Sequence, residues 1–242
     1  MFRNLCKNYS RRGLYANPLL SLEVMVIITN LYYFLTTGKI SDLQLKLNSK
    51  FIFSYISLKI SIIILFLLVK IIFFGLGVTY RNEVFENPNF LKLFLNILII
   101  APLFEEMICR YHLNFSKKSI FISSIFACVF LYDELTLLFI ILIYLGLLVF
   151  MIVKNLRFNR LTFVYLSSFI FACSHLISYP QILVNRNLIE AVFVIGPHFF
   201  GGLLLSYVFF RNGIIASIAL HSLWNLIPYS IHVFKLAVLG EE

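Results

Sequence analysis

Four stretches of this chain, 135–153, 161–185, 191–210 and 212–234, contain no Asp, Glu, Lys or Arg. A helix needs about 20 mainly apolar residues to cross roughly 30 Å of hydrocarbon. In lipid, only helices and closed barrels satisfy every backbone hydrogen bond internally. The runs are continuous rather than alternating, which excludes the strands of a barrel. A water-soluble fold is excluded as well. Residues are 61% hydrophobic and 13% charged, against about 25% charged in soluble domains, too little to cover a wetted surface. The expected fold class is all-α, a polytopic transmembrane helical bundle of about eight spans. These are 19–37, 51–79, 90–113, 119–132, 135–153, 161–179, 189–210 and 213–235. The loops between them are too short for a soluble domain.

The net charge of +9 is placed at segment ends, as at Lys154, Arg157 and Arg160. Cations there meet anionic headgroups, so membrane lipids are an expected partner and nucleic acid is not. Arg3, Lys7, Arg11 and Arg12 precede the first apolar stretch, in the manner of a signal peptide. That stretch lacks a small-x-small cleavage site and is interrupted by Glu23 and Asn30. It reads as an uncleaved helix preceded by a basic interfacial segment, 1–18. The transmembrane domain is expected over 19–235, with a short tail at 236–242. Within the long second span, Lys59 and Lys70 are expected to snorkel toward opposite interfaces. Residues 119–153 read as an inserted hairpin. Cys6, Cys109, Cys128 and Cys173 show no metal-type spacing.

Ionisable and polar groups inside membrane segments are costly and mark function by default. Three places carry them. In Ala101-Pro102-Leu103-Phe104-Glu105-Glu106-Met107-Ile108-Cys109-Arg110, Glu106 and Arg110 are i, i+4 and share a helix face. Glu105 points about 100° away and has no local cation. Pro102 withholds a helical N–H and is expected to free the carbonyl of Leu98. The second place is Phe171-Ala172-Cys173-Ser174-His175, and the third is His221-Ser222-Leu223-Trp224-Asn225. His221 and Asn225 are again i, i+4. Singly, such residues serve mostly to glue helices together; three of these groups on three spans can converge in a bundle core.

Two chemistries use such a set. Peptide hydrolysis needs an activated water and a stabilised oxyanion, and a carboxylate in apolar surroundings is a base suited to neutral pH. Alternatively, one Glu and two His form a catalytic zinc ligand set with a fourth position left for water.

The motifs Glu105-Glu106-x-x-x-Arg110, Phe171-x-x-x-His175 and His221-x-x-x-Asn225 occur in this order, each on an expected span. They resemble the CPBP family, the CAAX proteases and bacteriocin-processing enzymes also called the ABI family. Gly201-Gly202 through Arg211-Asn212-Gly213 also resembles the family's approach to its last motif. The resemblance spans about 95–230. It implies an intramembrane endopeptidase, acting on a peptide or protein substrate at the membrane, in an integral membrane protein of the bacterial cytoplasmic membrane. It implies that Glu105 activates water, that Glu106 and Arg110 are a supporting ion pair, that His175 helps hold the water, and that His221 and Asn225 form the oxyanion site. A metal-independent mechanism accounts for His221 and Asn225 together. If a zinc ion is used instead, the resemblance assigns it to Glu105, His175 and His221. The alternative in another class is a non-catalytic membrane binding or regulatory protein that retains the motif residues. Two departures from the family pattern stand at Cys109, where an aromatic is usual, and Tyr111, where a glycine is usual. A third is the long interval between Glu105 and His175, whose excess is about the size of the 119–153 hairpin. His112, His198 and His232 are expected to be structural or interfacial.

Overall fold

The computed structural model describes residues 19–40, 49–75, 90–184 and 187–239. The expected interfacial segment 1–18 lies outside them, as do residues 240–242 of the tail. The described residues are helical and contain no strand. In chain order the elements are α1 (Leu19–Thr37), α2 (Ser49–Phe74) and α3 (Phe90–Leu95). Next, α3 runs through a π-turn at Asn96–Ile100 into α4 (Ala101–Cys109), and a 3₁₀ turn follows at Tyr111–Asn114. Then come α5 (Lys117–Phe130), α6 (Leu135–Val153), α7 (Arg160–Ser174) with a 3₁₀ turn at His175–Ser178, α8 (Pro180–Val184), α9 (Leu188–Asn212) and α10 (Ile214–Leu239).

Within the described residues the expected apolar segments are helical, and five described helices are both long and apolar enough to cross a membrane: α2, α6, α7 with its 3₁₀ extension, α9 and α10. Two of the other expected segments fall short for physical reasons. α5 has 14 residues, about 21 Å at 1.5 Å per residue. The expected span 90–113 is divided by the π-turn and stops at Cys109, where Arg110 leaves helical geometry at φ −123°. The expected tail is also shorter, because α10 continues through Leu239 with no helix-breaking residue after Pro228.

α9 organises the bundle. It packs against α7, α10 and α2, and residues 201 to 209 are all buried. Small residues let neighbouring backbones approach in lipid, and α9 supplies Gly201, Gly202 and Ser206 at this point. Gly213, at φ +86°, makes the sharp turn into α10. On the outside, α2 presents Leu65, Leu68, Ile72 and Phe73 to the surroundings, as a lipid-facing helix should. α5 and α6 pack together as the expected hairpin, and α5 is capped by reciprocal Ser116 and Ser119 bonds. The hairpin's α5 supports the motif helix: Ser123 donates to the Met107 carbonyl at 2.6 Å, and Phe104 lies against Phe126 and Phe130.

Candidate active site

The motif helix α4 is held on one side by α10 and on the other by α7. Each neighbour turns a stripe of residues spaced by four toward it. On α10 the stripe is Ser217, His221 and Asn225. On α7 it is Ser167, Phe171 and His175. Residues four apart project from one helix face, so the two stripes enclose α4 over about two turns.

Glu106 and Arg110 form the expected pair, Oε1 to Nη1 at 3.2 Å, with neither side chain exposed. Glu106 is fully engaged: Ser217 Oγ donates to its Oε2, and His221 Nδ1 meets Oε1 at 2.9 Å. The Arg110 guanidinium lies 4.0 Å from the centroid of Phe171, a cation–π contact. A Cβ at position 202 would stand 3.2 Å from Arg110 Nη2; glycine makes room for the buried cation.

Glu105 differs from its neighbour. Its side chain is 21% exposed, and Oε2 lies 3.6 Å from His221 Nε2. His221 therefore stands between the two carboxylates. With Nδ1–H donating to Glu106, a neutral ring presents the lone pair of Nε2 toward Glu105.

The π-turn gives Asn225 a partner that the sequence pattern did not indicate. Ala101 N–H bonds to the Asn96 carbonyl, five residues back. The Ile97 carbonyl thus loses its α-helical donor at 101, and its π-register donor would be residue 102, a proline without an N–H. Asn225 Nδ2 donates to this carbonyl at 3.0 Å. The missing N–H of Pro102 removes the α-helical donor of Leu98, as expected, and the π-turn takes away that of Ile97 as well. One amide hydrogen of Asn225 is left over.

His175 is the first residue of the 3₁₀ turn after α7. Its Nδ1 bonds to the Phe171 carbonyl at 2.8 Å, which makes Nε2 the acceptor of a neutral ring. It contacts the Phe171 ring at 4.7 Å between centroids, and His221 contacts the same ring at 5.7 Å. The structure brings Glu105, Glu106, Arg110 and His221 into contact and sets Asn225 one turn along α10. Among the described residues, His175 is in ion-pair reach of neither glutamate.

Two residues expected to lie elsewhere belong to this region. His198 on α9 was expected to be structural or interfacial; its ring lies against that of His175, centroids 3.9 Å apart and tilted by 31°, and its Nδ1 is likewise tied to a carbonyl, that of Val194. Lys59 was expected to snorkel to an interface. It is 7% exposed, and its Nζ lies 4.1 Å from the centroid of Trp224, on the last motif. Its stem turns inward because Gly201 leaves space beside its Cε. Lys70 instead pairs with Glu190 at 2.7 Å. His112 does stay structural, between the Ile108 carbonyl and the Tyr144 hydroxyl. Ser217 was not foreseen; its position four residues before His221 was the available signal.

Among the described residues, no three His, Cys, Asp or Glu side chains are disposed to hold a metal ion. Of Glu105, His175 and His221, the first and last are 3.6 Å apart, while His221 Nδ1 bonds to Glu106 and His175 lies across the Phe171 ring.

These features define a class: an integral helical membrane protein whose packed helices enclose a polar site of two carboxylates, an arginine and imidazoles. The family described as type II CAAX prenyl endopeptidase Rce1-like matches residues 87–227. The chain belongs to that family, a family of proteases, and the matched region contains all six motif residues. No curated protein and no solved structure matches the chain.

Proposed function

We propose that this protein is an intramembrane endopeptidase in which Glu105 activates the water that attacks a peptide carbonyl. The observation that carries this reading is the division between neighbouring carboxylates. Glu106 is closed in and bonded through both oxygens. Glu105 is partly open and 3.6 Å from an imidazole that Glu106 orients. One water can hydrogen-bond to both Glu105 and His221 Nε2 at ordinary distances.

In the proposed reaction, Glu105 takes a proton from this water as its oxygen adds to the carbonyl carbon. The tetrahedral oxyanion accepts a hydrogen bond from the spare amide hydrogen of Asn225. His221, its Nδ1–H donated to the Glu106 carboxylate, holds the attacking water in place through the Nε2 lone pair. Collapse breaks the C–N bond, and the proton held by Glu105 passes to the leaving amine. His175, across the Phe171 ring from His221, lines the site beyond this water rather than holding it. Donors fixed in advance at the site of developing charge do most when water is excluded, which favours this buried setting.

The test uses purified protein in liposomes, a membrane-tethered peptide library with and without a prenyl group, and mass spectrometry of the products. Glu105→Gln keeps size and packing while removing the base, and the rate should fall by about 10²–10⁴ with the fold intact. Chelator added to wild type separates a metal-dependent reaction from a metal-independent one. A Glu105→Gln protein that cleaves as fast as wild type, or a wild type that cleaves no peptide in the library, refutes the proposal.

A further inference from the structure

Lys59 is an unexplained buried charge among the described residues. It sits on α2, ahead of the region that the family match covers. Its neighbours Ile56, Leu58, Ile60 and Ile62 are apolar, and a leucine in its place would remove the cost of burying an ammonium. The surrounding structure accommodates the cation. The Trp224 ring offers its face at 4.1 Å, and a Cβ at position 201 would stand 3.1 Å from Lys59 Cε and 3.4 Å from Nζ. Adjacent glycines of α9 thus accommodate two buried cations, Gly202 for Arg110 and Gly201 for Lys59.

The two cations differ in what they meet. Arg110 faces Glu106. Lys59 forms no hydrogen bond and no ion pair with any described residue, although Arg110, Glu106 and Glu105, and the rings of His175 and His198, lie within electrostatic range. The π face of Trp224 occupies one side of the ammonium, which carries three N–H donors. An ionisable group held inside a membrane protein without a fixed partner marks a ligand pathway, and the ligand it suits is an anion.

We propose, on the peptidase reading above, that Lys59 is a specificity-determining residue that takes a carboxylate of the peptide substrate. The carboxylate belongs either to the substrate's C-terminus or to an acidic side chain near the scissile bond. A carboxylate bound there forms the charge-assisted hydrogen bonds that the protein itself leaves unmade. Trp224, between His221 and Asn225 in sequence, ties the anchor to the helix that carries the oxyanion donor, so the bound carboxylate sets which peptide bond reaches Glu105.

Three peptides of one sequence test this: one with a free C-terminus, one amidated, and one with its acidic side chains changed to Gln. Each is assayed with wild type, Lys59→Met and Lys59→Arg in liposomes. The expected result is that wild type prefers one carboxylate form by roughly 10- to 100-fold in KM. Lys59→Met should lose this preference and Lys59→Arg should keep it. Loss of the preference on amidation places the carboxylate at the terminus; loss on Gln replacement places it on a side chain. Equal slowing of all three peptides by Lys59→Met makes Lys59 a structural counterion and overturns the proposal, as does a wild type that does not discriminate. If Lys59→Met fails to fold, Lys59→Gln, which keeps a polar tip without the charge, replaces it and should lose the preference in the same way. Binding of the three peptides, designed without tryptophan, to Glu105→Gln, read by Trp224 fluorescence, separates the two claims. Carboxylate-dependent binding without any cleavage by wild type sinks the peptidase reading and leaves the anchor standing.

Discussion

Replacing Arg110 by Met should damage folding more than chemistry. The substitution keeps an unbranched apolar stem and removes the guanidinium. Arg110 and Glu106 are both inaccessible to solvent, so the change strands a carboxylate in a dry place. Breaking a buried ion pair in this way costs about 3–5 kcal/mol. Glu106 keeps two donors, Ser217 and His221, which argues for the lower end, about 3 kcal/mol. The contact between Arg110 and Phe171 is lost too, but Met regains part of it through its thioether. For a chain of this length, about 3 kcal/mol lowers the midpoint of thermal unfolding by about 6–12 °C. Trp224 is the only tryptophan and lies in the site, so its fluorescence in detergent reports the transition. Glu106→Gln in the same protein should restore part of the loss, because the stranded charge is removed; the double-mutant cycle measures the coupling. An Arg110→Met protein that melts within about 2 °C of wild type, less than one kcal/mol on that scale, refutes the reasoning, and no rescue by Glu106→Gln refutes the pairing.

Asn225→Ala should strand the Ile97 carbonyl and cost about 1–2 kcal/mol, with faster amide hydrogen exchange over residues 96–103; a drop in kcat with unchanged exchange would assign Asn225 to the oxyanion alone. Gly202→Ala places a methyl 3.1 Å from Ser168 Cβ and 3.2 Å from both Arg110 Nη2 and Phe171 Cδ1, and overpacking of this kind costs about 1–3 kcal/mol. Gly146→Ala, whose Cβ meets nothing within 4 Å, is the control in the same melting assay.

Much of the site was legible because it is local to single helices. The ion pair of Glu106 with Arg110 follows from a spacing of four, and so does the shared face of His221 and Asn225. What lay beyond the sequence pattern is what depends on a second helix or on backbone register. Lys59 looked like an interfacial lysine because its own helix is mainly apolar, with no one polar face to mark an inward side; only the position of Gly201 on α9 explains why the stem turns inward. His198 follows Pro197 and has no motif around it, and its place on His175 arises from the packing of α9 against the end of α7. The π-turn is a shift of a single hydrogen bond, and nothing in Asn96–Ile100 distinguishes it from plain helix. Its consequence is large, since it decides that Asn225 is half committed to the backbone.

The two adjacent glutamates have separate roles because α4 lies between two helices. A helical step of about 100° sends Glu106 into the contact with α10, where Ser217 and His221 wait, and turns Glu105 to the partly open side. A single carboxylate could not both orient His221 and stay open to water, since three groups already crowd around Glu106. Moving either glutamate by one position would exchange a structural anion for a reactive one. The same reasoning explains why Arg110 follows Glu106 by four residues and Glu105 has no such partner: a cation on the face of Glu105 would close the carboxylate that has to remain open. The positive charge that does reach that region arrives from α2, at Trp224 and outside hydrogen-bonding distance of either glutamate, where it leaves Glu105 unpaired.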